Sequence, residues 1–507
     1  MSAVLHETAR PAARTETPDS WRAVPVLAVF ETRQLFRSLP LLLGFAVYLA
    51  WIVWKGRDYA DGNPALQDAD RATQSVPLLI GLAVLLAVNQ AVLRSRRRDT
   101  ERHFAVLVMT PLRRTLAHLL SVVPVALLTA VCVAAQYGWQ ALKPGALGHG
   151  SPGELLVGPL TVLLFGAGGV LAARLLPSVF AAPLVIVLFM FLLLLGSSVA
   201  GDAGWVRWLT PVVTENSSQV LPSGLIGRPA AWHALYLAAL ALSVALLAVL
   251  AGGGARAWSA RVGLAGAVAL TAVAVVAQGA GVSPQLTAAR ERATFHPEQV
   301  QTCVARDGSR YCAFPEWRGR TADWAAVVAE VRSLAGGTAR TQPLVVRQRI
   351  DATYGLESDA GLLPSKQAGV VSVGTSWGGN RVPEFSAAVA GVLVAGGEKE
   401  AAELCDGRMV TVMWLALAWQ SDPLDALRRV RLDDSVKGSA IVLAPTEPLS
   451  MTAGQTEVVR ELLERPAAEV APTVKAHWAE LVSPKVTTAR VAELTGVKGK
   501  FGADTCD

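Results

Sequence analysis

Charge is what this sequence has least of. Asp, Glu, Lys and Arg make up 17% of its 507 residues, against about 25% in soluble domains. The deficit predicts segments that face lipid, and it is uneven. Residues 1–282 carry 21 Lys+Arg and 13 Asp+Glu, a net of +8; residues 283–507 carry 25 and 27, a net of −2. The basic balance therefore comes from the first part, where the cations crowd into short loops. A nucleic-acid-binding protein would instead carry a basic face on a soluble domain, so no nucleic-acid partner is expected.

Several catalytic signatures are also missing. No GxxxxGK[ST] occurs, since Gly499-Lys500 runs into Phe501, so the chain has no phosphate cradle for ATP. No HExxH occurs, since His6-Glu7 is followed by Arg10. No paired CxxC occurs, which argues against structural zinc. Neither a metal nor a cofactor is expected. Cysteine itself is scarce, five in all. Cys132 lies in an apolar run and reads as a small buried hydrophobe. The other four, Cys303, Cys312, Cys405 and Cys506, all follow the last long apolar run. An even number confined to one region predicts disulfides and an oxidising compartment. Four cysteines allow three connectivities. Proximity, with the turn dipeptide Asp307-Gly308 between them, favours Cys303 with Cys312, leaving Cys405 with Cys506.

What is present is apolar periodicity. Residues 1–19 read as a polar tail. Trp21 to Arg37 mixes apolar and charged residues at helical spacing and reads as an amphipathic helix at a membrane surface. Together, 1–38 forms a cytoplasmic segment. Seven apolar runs follow within 39–282, near 39–54, 75–93, 116–135, 155–173, 178–200, 232–251 and 262–281. A spanning helix needs about 20 apolar residues, so the expected fold is an all-α membrane domain of about seven spans. Arg94, Arg96, Arg97, Arg98, Arg102, Arg113 and Arg114 crowd the loop after the second run. The positive-inside bias then places the N-terminus in the cytoplasm and residues 283–507 outside, in a multi-pass protein of the cell membrane.

The region 283–507 is large enough for its own core and reads as a soluble mixed α+β domain. Helices are expected near 321–335, 384–404, 408–420, 453–465 and 470–482, with strands at 343–350, 369–373 and 440–444. The run Met409–Trp419 is too short to span and is expected in the core. Trp317, Trp324, Trp377, Trp414, Trp419 and Trp478 are expected to pack there too. Gly374-Thr375-Ser376-Trp377-Gly378 is a GxSxG string after a strand-like run. A nucleophile elbow would start a helix at once, whereas Gly378, Gly379 and Pro383 delay one. Ser376 with His477, and an acid among Asp422, Asp425, Asp433 and Asp434, is the alternative reading: a membrane-anchored outer-side hydrolase, or else a binding protein. Within the apolar runs, Asn89 and Gln90 are expected at the water interface, and Gly166, Gly168 and Gly169 at close helix contacts.

The segment Arg94–Leu120 is the most informative. Glu101 precedes the apolar run Phe104–Met109, then Thr110-Pro111 and Arg113-Arg114. On physical grounds this is a short interfacial helix stopped by Pro111. It resembles the coupling helix of ABC exporter permeases of the second (ABC-2-like) type, at the same place in the topology. Phe30, Glu31, Arg33, Leu35, Phe36 and Arg37 resemble that family's interface helix. The resemblance covers roughly residues 20–255, and the seventh run and the outer domain are extra to it. It implies a permease subunit, without enzyme activity of its own, that pairs with a second permease subunit. A separate cytoplasmic ATP-binding subunit would dock on Glu31, Arg33, Glu101, Phe104, Met109, Thr110, Pro111 and Arg113.

Overall fold

A computed structural model describes residues 19–58, 62–98, 109–199, 206–213, 219–255, 257–356, 361–431, 440–442, 445–499, 501 and 504. The first part is a bundle of helices: α1 (Asp19–Phe36), α2 (Leu39–Asp58), α3 (Leu66–Ala72), α4 (Ser75–Arg97), α5 (Pro111–Ala141), α6 (Pro152–Leu175), α7 (Ala181–Val199), α8 (Ala230–Val249) and α9 (Trp258–Gly279). Five stretches are long and strongly apolar: Leu66–Arg97, Pro111–Ala141, Pro152–Leu175, Ala230–Gly254 and Trp258–Phe295. They contain five of the seven expected runs. The other two differ. The first run is half of a bent pair, Trp21–Phe36 and Leu39–Trp54, which meet at 61°. The fifth gives an apolar helix of only Ala181–Leu194 among the described side chains.

Helix α6 is the axis of the bundle, packed against α4, α5 and α8. Small residues permit this. A Cβ on Gly169 would lie 2.6 Å from the Leu85 carbonyl oxygen, and one on Gly166 would strike Val122. Gly168 faces open space. The close approach also explains Asn89, which is buried and donates to the Gly169 carbonyl at 3.3 Å. Only its neighbour Gln90 is exposed, as expected for the pair. An amide in an apolar bundle is stabilised by bonding an accessible backbone carbonyl across the contact.

The C-terminal region carries a small mixed sheet in the order β1 (Thr302–Arg306), β2 (Ser309–Ala313), β3 (Val345–Gln348), β4 (Val370–Val373). The first pair is an antiparallel hairpin, and β2–β3 and β3–β4 are parallel. Its two-residue turn is Asp307-Gly308, both at positive φ (48° and 74°), which matches the twist of a tight hairpin. The turn sets Cys303 opposite Cys312, and the two are disulfide-bonded. Cys405 is disulfide-bonded as well; Cys506 lies outside the described residues.

The core of this region holds Trp317, Trp324, Trp414 and Phe385, with Trp478 at its edge and Trp377 and Trp419 packed against it. Helix Arg408–Leu417 is buried from Met409 onward, as its length predicts. The expected helix 384–404 is broken by Gly396 (φ 95°), a position that an L side chain strains to occupy. Helices Pro284–Phe295, which has almost no apolar periodicity, and Thr488–Thr495, which is only eight residues long, were not expected.

Bundle and sheet domain are stitched together by polar contacts. Arg320 donates to Asn63 Oδ1 and the Gly145 carbonyl. Gln67 donates to Glu316 at 3.5 Å, and Glu316 accepts from the Ser223 amide at 3.0 Å. Beneath these lies a buried ion pair. Glu154, in the first turn of α6, accepts from Arg228 Nε at 2.7 Å and from Gln74. Removing one partner of a buried pair strands the other charge. Glu154→Ala is therefore expected to lower stability by roughly 3–5 kcal/mol, read as a fall in the thermal midpoint of the detergent-purified protein; an unchanged midpoint would refute the structural role assigned to the pair.

Candidate functional site at the arginine-rich end

The end of the bundle away from the sheet domain is built on α1. Its buried stripe, Val24, Ala28, Glu31 and Leu35, recurs at helical spacing. Val24 and Ala28 pack with Ala117, Leu27, Met109 and Leu116, which seats α1 on the start of α5. Thr32 donates to the Ser121 carbonyl at 3.3 Å across the same contact. The opposite face shows Val26, Val29 and Phe30, each at least half exposed, together with Arg22, Arg33 and Arg37. Such a helix, apolar on both sides with a basic margin, suits a boundary between apolar and aqueous phases.

Helix α5 begins at the Thr-Pro step. Thr110 is extended (φ −68°, ψ 156°) and its hydroxyl accepts from the Arg113 amide, with Pro111 at the first helical position. Pro fits there because its missing N–H has no partner in a first turn. Pro111 thus opens the long helix, in addition to barring continuation of whatever precedes it. Arg113 turns inward, almost fully buried, with its guanidinium 4.8 Å from the Trp21 ring centroid.

Of the residues expected to meet a partner, Arg33 and Pro111 are exposed, and Met109 and Thr110 are half-buried. Glu31 is buried and pairs with Arg94 at 3.3 Å, and Arg113 is held under Trp21. These two shape the surface from beneath it. Glu101 and Phe104 lie outside the described residues. The sequence offered no signal for the Glu31–Arg94 pair, whose members stand 63 positions apart.

The far end of α8 closes the site. Leu250–Gly254 forms a wide π-type turn that sets Gly252 against Thr115 and Gly253 beside Pro111. Between these elements lies a cavity of about 870 Å³. Arg94, Arg96, Arg98, Arg114, Arg174 and His118 line it, with apolar walls from Leu27, Phe30 and Val92. The last turn of α4 supplies Arg94, Arg96 and Arg97, which the carbonyl end of the helix favours.

The GxSxG string is placed differently. Ser376 follows β4, half-buried, and helix Arg381–Ala395 begins five residues later, after Gly378 and Gly379 at positive φ. Asp307 is the one non-glycine residue at positive φ among the described residues, so Ser376 lacks the strained backbone of a nucleophile elbow. His477 is exposed at the end of helix Ala467–Ala476, and no hydrogen bond joins it to Ser376 among the described residues. Asp422 caps a helix and Asp425 pairs with Arg429; Asp433 and Asp434 lie outside the described residues. Nearby, Glu398 is buried beside β4 and accepts from the Ser365 amide at 2.7 Å and the Ser372 hydroxyl at 2.9 Å. Burial pushes its carboxyl above the usual range despite those donors. No group of three metal-ligating side chains occurs among the described residues.

The chain matches no family model, no curated protein and no solved structure.

Gly253 sits at φ +104°, a conformation L side chains avoid. Gly253→Ala is expected to cost roughly 1–3 kcal/mol and to lower the thermal midpoint, by displacing the end of α8 from Pro111; a midpoint equal to that of the unaltered protein would show that the turn relaxes freely.

Proposed function

We propose that this chain is the membrane-spanning permease subunit of an ATP-driven exporter of the ABC-2-like type. It would pair with a second permease subunit and be driven by a separate cytoplasmic ATPase. The observation that carries the reading is the seating of α1 on the start of α5. A helix with an exposed apolar and basic face, bent 61° from the helix after it, is packed directly on the segment that follows Glu101–Met109. This is how an interface helix and a coupling segment would form one mechanical unit.

The route from that unit is continuous. Helix α5 has 31 residues, a length of roughly 46 Å, and runs from the arginine-rich end to the sheet domain. At its far end the Tyr137 hydroxyl accepts from the Gly150 amide at 2.8 Å. A displacement at Pro111 would pass along α5, whose backbone bonds are internal save at Pro124, which has no donor. The five apolar stretches support a membrane setting, with the arginine-rich end in the cytoplasm by the positive-inside bias. The Cys303–Cys312 bond supports an oxidising, extracytoplasmic side for the sheet domain. The domain would then cover the outer end of the helices.

Two experiments test this. The tagged chain, purified from its native cell, is expected to bring an ATPase subunit with it. Arg33→Glu, at an exposed position, is expected to weaken retention of that subunit while the thermal midpoint changes little. An intact chain that never carries an ATPase would overturn the proposal. Separately, topology reporters inserted at Gly308 and at Arg97 are expected to report the outer and cytoplasmic sides respectively; the same side for both would overturn the orientation.

A further inference from the structure

The cavity at the arginine-rich end is lined by cations and apolar side chains. Five guanidinium groups line it, Arg94, Arg96, Arg98, Arg114 and Arg174, against Glu31 as the one acid among its described lining residues. Arg96, Arg114 and Arg174 engage other neighbours too. His118 is 8% exposed and lines the same space, with its buried Nδ1 unbonded. A second cavity of about 430 Å³ adjoins it, lined by Arg37, Arg97 and Gln34, and Arg94 and Arg98 border both. The walls, in contrast, are apolar: Leu27, Phe30, Val92, Leu93 and Pro111.

We propose that this cavity binds the phosphate group of an anionic phospholipid, with the upper acyl chains against Leu27 and Phe30. Guanidinium is the side chain best matched to phosphate oxygens, which it meets with paired donors. A cation-rich space with apolar walls matches a ligand that is ionic at one end and hydrocarbon at the other. A soluble phosphate would leave the apolar walls wet. An acidic protein segment would leave half-exposed Phe30 without an apolar partner. Basic pockets between helices at the cytoplasmic end are where anionic headgroups lie. The inference rests on the membrane reading above, though not on ATPase coupling. A lipid held between α1, α4, α5 and α6 would make the set of the coupling unit depend on the anionic lipid content of the bilayer.

The test uses the full chain in detergent, with short-chain phosphatidylglycerol, short-chain phosphatidylcholine and inorganic phosphate as probes, read by native mass spectrometry and thermal midpoint. Phosphatidylglycerol is expected to bind and to raise the midpoint, with phosphatidylcholine and phosphate doing neither. Arg114→Gln with Arg174→Gln is expected to weaken that binding at least about tenfold, and Arg318→Gln, on the sheet domain, to leave it unchanged. If the double variant does not fold, Arg98→Gln, exposed at the mouth, is expected to weaken binding in the same direction. Equal binding of the two lipids would overturn the proposal. So would inorganic phosphate acting alone, which would make the ligand a free anion. Variants that keep phosphatidylglycerol but lose a co-purifying ATPase would make the cavity that subunit's seat and overturn it too. An absent ATPase beside normal lipid binding would count against the transporter reading alone.

Discussion

Glu154 and Arg228 are both nearly buried, and the rest of the bundle is arranged around their pairing. The carboxylate lies at the amino end of α6, where the helix dipole favours a negative charge. It takes both Arg228 Nε and Nη2, at 2.7 and 3.3 Å, and the amide of Gln74 ahead of α4. Arg228 also lies 5.2 Å from the Trp208 ring centroid. One carboxylate thus fixes the starts of α4 and α6 and the segment before α8. Two charges withdrawn from water hold to one geometry, because every looser arrangement leaves one of them unpaired.

The same constraint continues toward the sheet domain. Asp70 accepts from the Ser151 amide at 2.7 Å beside the pair, and Glu316 reaches across to Ser223 and Gln67. Val220, from a loop of the bundle, is part of the domain's core, with Ala65, Leu147 and Leu221 packed against it. The loops between the helices are thus structural components of the domain that caps them. At the opposite end a lighter version of the device appears, with Glu31 buried against Arg94 between α1 and α4. A bundle with polar clasps at its two ends and an apolar, glycine-lined middle is suited to moving as rigid helices, since the middle offers packing with few directional bonds.

That division bears on the proposed coupling. Force applied at Pro111 meets a helix capped by Thr110, anchored by Arg113 under Trp21, and flanked by glycines of the π-type turn. The anchoring residues are interior, and the surface offered to a partner consists of Arg33, Pro111 and the half-buried Met109. On the proposed reading, shape would be set from within and contact made from without. Mutation of the two groups would then have different effects, on stability in the first case and on association in the second.

Much of this was legible in the sequence. The apolar runs gave five long helices because helical hydrogen bonding is satisfied within each segment, whatever the neighbours. The Asp307-Gly308 dipeptide announced the hairpin and with it Cys303–Cys312, since a two-residue turn leaves one register. The length of the run Met409–Trp419 announced a core helix. The remainder was decided by the tertiary structure. Whether 39–54 stands alone or bends from α1, whether Asn89 meets water or the Gly169 carbonyl, and which arginine meets Glu31 or Glu154 all depend on residues tens of positions apart. Composition and periodicity fix what a segment becomes. The partner of a buried charge is settled only when folding brings it within bonding distance, because the pairing energy belongs to the pair and leaves no mark on either residue's local sequence.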